Sequence, residues 1–359
     1  MKINFSKLDQ DKVIKLLETK EENISIASML NDLCFSLDSF LELKNIEGKD
    51  REDKCKEIFL EYFELDETNQ ENIDIVNRSL SNTFKEIDLI EYENNPYKKA
   101  LNIKETIQKP YKLHYLSYPA YSFFPLNDIS VDPNDYYREH SEISYASREY
   151  KYLTLSKNNN IWMCITPNEI NTMKNHIDKA RGNVITFGLG LGYYAFMASN
   201  KKEVKKVTII ERDNNIINLF KDNLLPLFPY KDKIEIISTD AYEFINKNKL
   251  MNYDYAFFDL WHNAEDGLPI YIELLNKHIK CETGYWIEES IIALYRRCLL
   301  TVIEESLNGY TDDDYRKSKN AIDKVINTIY FKTKSLRINS YNEIHKLLTN
   351  ESIKELITK

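Results

Sequence analysis

Glycine is scarce in this chain, with eight residues in 359, and proline is little commoner at nine. That scarcity excludes collagen-like and low-complexity compositions, and 43% hydrophobic with 29% charged residues reads as globular. Positive charge is short as well: 48 lysines and arginines against 57 aspartates and glutamates leave a net charge of −9. A nucleic acid held on a basic surface is therefore not the expected partner. No CxxC pair occurs among Cys34, Cys55, Cys164, Cys281 and Cys298. Neither a zinc site nor a disulfide framework is indicated, and a reducing cytoplasm is the expected setting. No apolar run approaches the roughly 18 residues of a membrane span, and Met1-Lys2-Ile3-Asn4 does not open a signal peptide, so no membrane association is expected.

What is present is uneven. From residue 8 to about 92, apolar residues recur at three-and-four spacing, as in Val13, Leu16, Leu17 and Ile58, Phe59, Tyr62, Phe63, which predicts several amphipathic helices. Between 110 and 165 helical periodicity gives way to prolines and tyrosines. Tyr150-Lys151-Tyr152-Leu153-Thr154-Leu155 and Ile161-Trp162-Met163-Cys164-Ile165 predict a hairpin around the turn-prone residues 157–160. Packing in a small β-rich insert, or a stacking wall for a substrate, both suit the tyrosines between 111 and 152. Thr166-Pro167-Asn168-Glu169 has the form of a capping box opening a helix that runs to about residue 180.

From residue 183 short apolar runs alternate with helical stretches. The runs cover 184–187, 207–210, 234–237, 255–258 and 285–287, and runs that are apolar throughout suit strands buried on both faces. The predicted fold class is α/β, a doubly wound, mostly parallel, Rossmann-like sheet. The expected organisation is a helical amino-terminal domain (1–108), a β-rich connector (109–166), the α/β core (167–290) and a helical carboxy-terminal extension (291–359).

In such a sheet the ligand sits beyond the carboxyl ends of the strands. Three of the eight glycines lie there together, in Gly188-Leu189-Gly190-Leu191-Gly192, straight after Val184-Ile185-Thr186-Phe187. The second run ends at Glu211, nineteen positions after Gly192; the third leads to Asp240-Ala241; the fourth ends at Asp259. An acid after the second strand suits two ribose hydroxyls, and one after the third suits an adenine amino group. A dinucleotide fingerprint would place a small residue at 193, where Tyr193 stands, so NAD is disfavoured.

Over about 166–290 the chain resembles the class I S-adenosylmethionine-dependent methyltransferases, whose first motif is acid-x-G-x-G-x-G. Here that motif reads Thr186-Phe187-Gly188-Leu189-Gly190-Leu191-Gly192, with threonine in the place of the leading acid. The resemblance implies S-adenosylmethionine as cofactor, held by Thr186, Phe187, Gly188, Gly190, Gly192, Tyr193, Glu211, Arg212, Asp240, Ala241 and Asp259. It implies methyl transfer to a small-molecule acceptor, with Asp259 and His262 serving that acceptor. The same fold has a spermidine-synthase branch that transfers aminopropyl from decarboxylated cofactor, and this is the alternative enzyme. Asp259-Leu260-Trp261 is also similar to metal-assisted O-methyltransferases, in which Glu288 and Glu289 would fall near the metal; no other ligand cluster supports a metal. A non-catalytic interaction module on the same fold is the third reading.

Blander roles stand beside these. Glu211, Asp240 and Asp259 suit helix caps, His262 an exposed loop, Glu288 and Glu289 structural acids. The acidic helices before residue 92 offer a lid or a homo-oligomer contact.

Overall fold

The computed structural model describes residues 1–46, 50–66, 68–246, 249–277, 279–315 and 320–359. The chain opens with a helix of about 45 Å, α1 (Lys7–Ser36), capped by Ser6 and ended by Leu37 in the left-handed region. Its two halves pack into different cores. Val13 and Leu16 join the main core, whereas Ile26, Leu30 and Leu33 pack with α2 (Asp50–Tyr62) and α3 (Gln70–Ser79).

That second core also takes in Phe84, Phe123, Ile143 and Tyr145, so helices and connector share it across position 108. Arg138 is buried at the seam and donates to Glu22 of α1 (2.8 Å), Ser79 of α3 (3.3 Å) and Asp135 (2.6 Å). A buried guanidinium is tolerated there because its donors are met by carboxylates and a hydroxyl.

The connector forms an antiparallel sheet. Its strands are β1 (Tyr111–Tyr118), β2 (Tyr150–Lys157) and β3 (Asn160–Cys164), in the order β3-β2-β1, with 106–108 on the far edge. Asn158 and Asn159 both take positive φ (51° and 67°), the conformation that tight hairpins require and asparagine tolerates. Between Ile161 and Met163 the register slips, leaving Trp162 as the extra residue of a bulge. The tyrosines mostly pack: Tyr118 stacks on Phe124 with ring centres 4.5 Å apart and touches Tyr152.

Helix α4 (Pro167–Lys179) then leads into the core. There β4 (Gly182–Phe187), α5 (Tyr193–Ser199), β5 (Val204–Glu211), α6 (Asn214–Asn223) and β6 (Ile234–Ser238) alternate. They are followed by α7 (Ala241–Asn246), β7 (Tyr255–Phe258), α8 (Ala264–Leu275), β8 (Glu282–Tyr285) and α9 (Glu288–Leu307). All five strands are parallel, in the order β6-β5-β4-β7-β8. The chain steps outward from β4 on one side and then returns to its other side, as a Rossmann-like fold does. Val184, Ile185, Thr186 and Phe187 are all buried, which accounts for the apolar run.

The last strand departs from expectation. It spans 282–285 rather than 285–287: the Trp286 N–H still bonds the Phe258 carbonyl (3.0 Å), but the backbone leaves the sheet at Ile287. Ile287 sits at φ 46°, an unusual place for a β-branched side chain, and turns the chain directly into α9. No antiparallel pair closes this sheet among the described residues.

The carboxy-terminal helices α10 (Ala321–Thr333), α11 (Tyr341–Leu347) and α12 (Asn350–Thr358) fold back over the core. Lys2–Ile3 pairs in parallel with Arg337–Ile338, and buried Lys20 bonds Glu304 at 2.6 Å, so both ends of the chain are tied together. Among the described residues no helix is long and apolar enough to cross a membrane.

Candidate functional site

A cavity of about 690 Å³ opens beyond the carboxyl ends of β4, β5, β6 and β7, where the strand order reverses. The hairpin β2–β3 and helix α4 wall its other side. Of the residues that the sequence nominated, Thr186, Gly188, Gly190, Gly192, Tyr193, Glu211, Arg212, Asp240, Ala241, Asp259 and His262 line it. Phe187 does not: its ring is buried in the core, stacked on Phe258 at 4.6 Å, because its side chain points into the sheet's packed layer.

The glycine turn depends on missing side chains. At Gly188, with φ 98°, a Cβ would stand 2.1 Å from the carbonyl oxygen of Asp259, so only glycine lets β4 and β7 end side by side. A Cβ on Gly190 would meet the sulfur of Met163, on β3, at 3.0 Å, which shows how closely the hairpin covers the turn. Residues far away in sequence hold the turn from behind. Tyr97 donates its hydroxyl hydrogen to the Leu191 carbonyl, and Asn95 donates to the Tyr193 hydroxyl at 3.0 Å.

The acids on the β5–β6 side are engaged by backbone. Glu211 accepts from the Leu189 N–H (3.2 Å) with one oxygen and from the Asp213 N–H (2.8 Å) with the other. It thus braces the glycine turn while keeping lone pairs for a ligand. Asp240 accepts from Tyr242 N–H at 2.9 Å as the cap of α7, and its other oxygen lies 3.9 Å from Arg212. The capping role is therefore real, and Arg212 is largely in solvent. Asp213, unremarked in the sequence, caps α6 and accepts from the Tyr111 hydroxyl at 2.7 Å. Burial opposes its ionisation, but the bonds from Tyr111 and the α6 backbone, with Lys157 nearby, hold its carboxyl below the usual range.

The β7–β8 side is different in kind. Burial pushes the Asp259 carboxyl up to about 7, with nearby His262 working the other way. Glu169 faces the same cavity, and burial together with the charge of Asp259 raises it well above the carboxylate range. The structure corrects the capping box: Thr166 does accept from the Glu169 N–H (3.4 Å), but the Glu169 carboxyl belongs to the cavity wall beside Asp259. Sequence reasoning missed Glu169 because its local pattern explained it completely.

His262 stands at the rim. Its Nδ1 lies 3.0 Å from an Asp266 oxygen, its backbone N–H also bonds Asp266, and its ring meets the Trp162 ring edge-on at 4.6 Å. Glu288 accepts from the Tyr271 hydroxyl (2.6 Å) and pairs with Lys354 (2.9 Å), and Glu289 accepts from Asn350 (3.1 Å). Both acids anchor α8, α9 and α12. Among the described residues no group of three His, Cys, Asp or Glu is placed to hold a metal ion.

Compared with models of protein families and with curated proteins, the chain matches none. Among solved structures it is similar to spermidine synthase from Thermotoga maritima, at 14% identity and a TM-score of 0.30 over 42% of this chain and 58% of that one. It is also similar to a spermidine synthase in complex with the transition state analogue AdoDATO, at 14% identity and a TM-score of 0.28 over the same shares. In both cases the chain spans less than two thirds of the matched protein's length.

Proposed function

We propose that this cavity binds an adenosyl sulfonium of the S-adenosylmethionine type and passes one of its alkyl groups to a small acceptor. One observation carries the reading. The glycine turn, Glu211 and Asp240 on one side and Asp259 and Glu169 on the other all line a single cavity. Apart from Glu169, four carboxyl residues line it (Glu211, Asp213, Asp240, Asp259) against Lys157 and Arg212, a balance suited to a cation.

The residues fit the group. The turn keeps clear the space that a Cβ would fill, and Glu211 and Asp240 retain acceptor oxygens where a sugar and a base amino group would lie. When bound, the sulfonium would supply an electrophilic carbon for an acceptor lone pair, with sulfur taking back the S–C electron pair. Asp259, tuned near neutrality, accepts the proton that the acceptor sheds, while Glu169 keeps its own. His262, bonded to Asp266 at the rim, orients rather than abstracts.

Methyl transfer follows from the motif. Aminopropyl transfer from decarboxylated cofactor is favoured by a separate observation: Thr186, Asp259 and Glu169 bring no lysine or arginine to meet a cofactor carboxylate. Lys157 lies over the Trp162 ring with Tyr111 beside it, and Arg212 stands beside Asp240.

Titration calorimetry with S-adenosylmethionine, its decarboxylated form, S-adenosylhomocysteine and NAD tests the proposal. Binding of the adenosyl compounds is expected, the decarboxylated form tightest under the aminopropyl reading. Binding of NAD alone overturns the proposal, and adenosyl binding without turnover on any amine points to a non-catalytic module.

A further inference from the structure

All three tryptophans of the chain, Trp162, Trp261 and Trp286, line this one cavity, and they do so on its β7–β8 side. Two are locked. The Trp261 indole N–H donates to the Trp286 carbonyl (3.2 Å), and the Trp286 indole N–H donates to the Thr172 hydroxyl (3.0 Å). With their polar atoms satisfied elsewhere, what they add to the site is apolar surface.

Trp162 is placed differently. It is the bulged residue of the hairpin, and bulges re-aim a side chain out of the regular alternation of a strand. Its ring meets His262 edge-on and carries Lys157 at 4.7 Å from its centre. Its indole N–H is buried and has no protein partner. Toward the mouth the lining continues with Leu260, Ile270 and two apolar side chains left in solvent, Ile161 at 61% and Phe35 at 77% exposure. Exposed apolar residues at the rim of a concave site are a signature of ligand contact.

The acidic groups on this side are confined to one place. Glu169 and Asp259 sit together, and no other carboxylate among the lining residues belongs to this side. One amine nitrogen is therefore well met there, with Asp259 as the anion and Glu169 as a neutral hydrogen-bonding neighbour. A second, several carbons away, would lie among Trp162, Leu260 and Ile270, with Lys157 already over the indole.

Resting on the transferase reading, we infer that the acceptor is a monoamine with an apolar, aryl-sized body: its nitrogen goes to Glu169 and Asp259, and its body packs against Trp162. A slender diamine does not suit this lining. Trp162 is thereby the residue that sets acceptor choice.

The test is calorimetric titration of the full chain with 2-phenylethylamine, butane-1,4-diamine and 2-phenylethanol, each with and without saturating S-adenosylhomocysteine or 5′-methylthioadenosine. The aryl amine is expected to bind about tenfold tighter than the diamine and than the uncharged alcohol. Trp162→Ala should erase most of that preference while leaving thioether affinity within about twofold, and Trp162→Phe should keep much of it. Thermal midpoints of both variants show whether they fold. A diamine that binds as tightly as the aryl amine, or a preference that survives Trp162→Ala in a folded variant, overturns the inference and leaves the transferase reading intact. Failure of both thioethers to bind sinks the two together.

Discussion

The two sides of the cavity solve opposite problems with the same functional group. On the β5–β6 side, Glu211 and Asp240 accept backbone N–H bonds, and Arg212 and solvent lie close to hand. On the β7–β8 side, Glu169 and Asp259 are packed among tryptophans and shift upward because burial disfavours their charge. Carboxylates of the first kind hold hydroxyls and amino groups, whereas those of the second kind trade protons. The same two residue types thus differ in character with what surrounds them: backbone donors on one side, burial without such donors on the other.

The comparison breaks most severely at the turn where both sides meet. Gly188→Val puts a branched side chain at φ 98° against the Asp259 carbonyl, so a loss of about 3 kcal/mol in urea denaturation is expected, with adenosyl binding abolished in calorimetry. Next in size, Asp259→Asn should lower turnover by roughly 10²- to 10⁴-fold with adenosyl affinity within about threefold. An equal loss of affinity would show that Asp259 holds cofactor instead. Glu211→Ala should do the reverse, weakening adenosyl binding by about 10- to 100-fold, because the brace on Leu189 N–H goes with it.

Stability against pH sharpens the contrast further. Asp259 keeps its proton to about 7 in the folded chain against an ordinary 3.8, so its contribution is complete below about 4 and lost as pH rises to about 7. His176, half-buried against Phe257 with Nδ1 2.9 Å from the Tyr255 hydroxyl, is pushed down from 6.5 to about 4. Its contribution runs the other way, present above 6.5 and lost as pH falls toward 4. Urea midpoints between pH 4 and 8 should therefore fall more steeply on acidification in Asp259→Asn than in the parent, and identical slopes would refute the upward shift. The smallest effect belongs to Asp240→Ala, about 1 kcal/mol from the lost α7 cap, read as a small drop in thermal midpoint.

How much of this was legible depended on distance along the chain. The hairpin at 150–165, the cap at Thr166 and four of the five strands follow from periodicity and turn residues, since each is a local matter of alternation or φ. The fifth strand was displaced because the chain leaves the sheet at Ile287, which the apolar run does not reveal. Within the site, the glycines and the acids following each run were readable because a parallel sheet places every strand end at one edge. Glu169, Asp213, Tyr97 and Trp162 were not, for each is explained locally as a helix residue, a cap, a core tyrosine or a strand residue. Phe187 went the other way: a motif position whose side chain turned out to face the core.

By itself the order of residues determined which segments become most of the strands and helices, where the backbone must lack a side chain, and that Glu211, Asp240 and Asp259 end up at the sheet's carboxyl edge. Those properties are set by sterics and periodicity within a few residues. Only tertiary packing decided which carboxyls are pushed upward, which wall gathers the three tryptophans, and that a hairpin from another sheet covers the glycine turn. Burial and field at a point are sums over segments far apart in sequence, and no local pattern carries them.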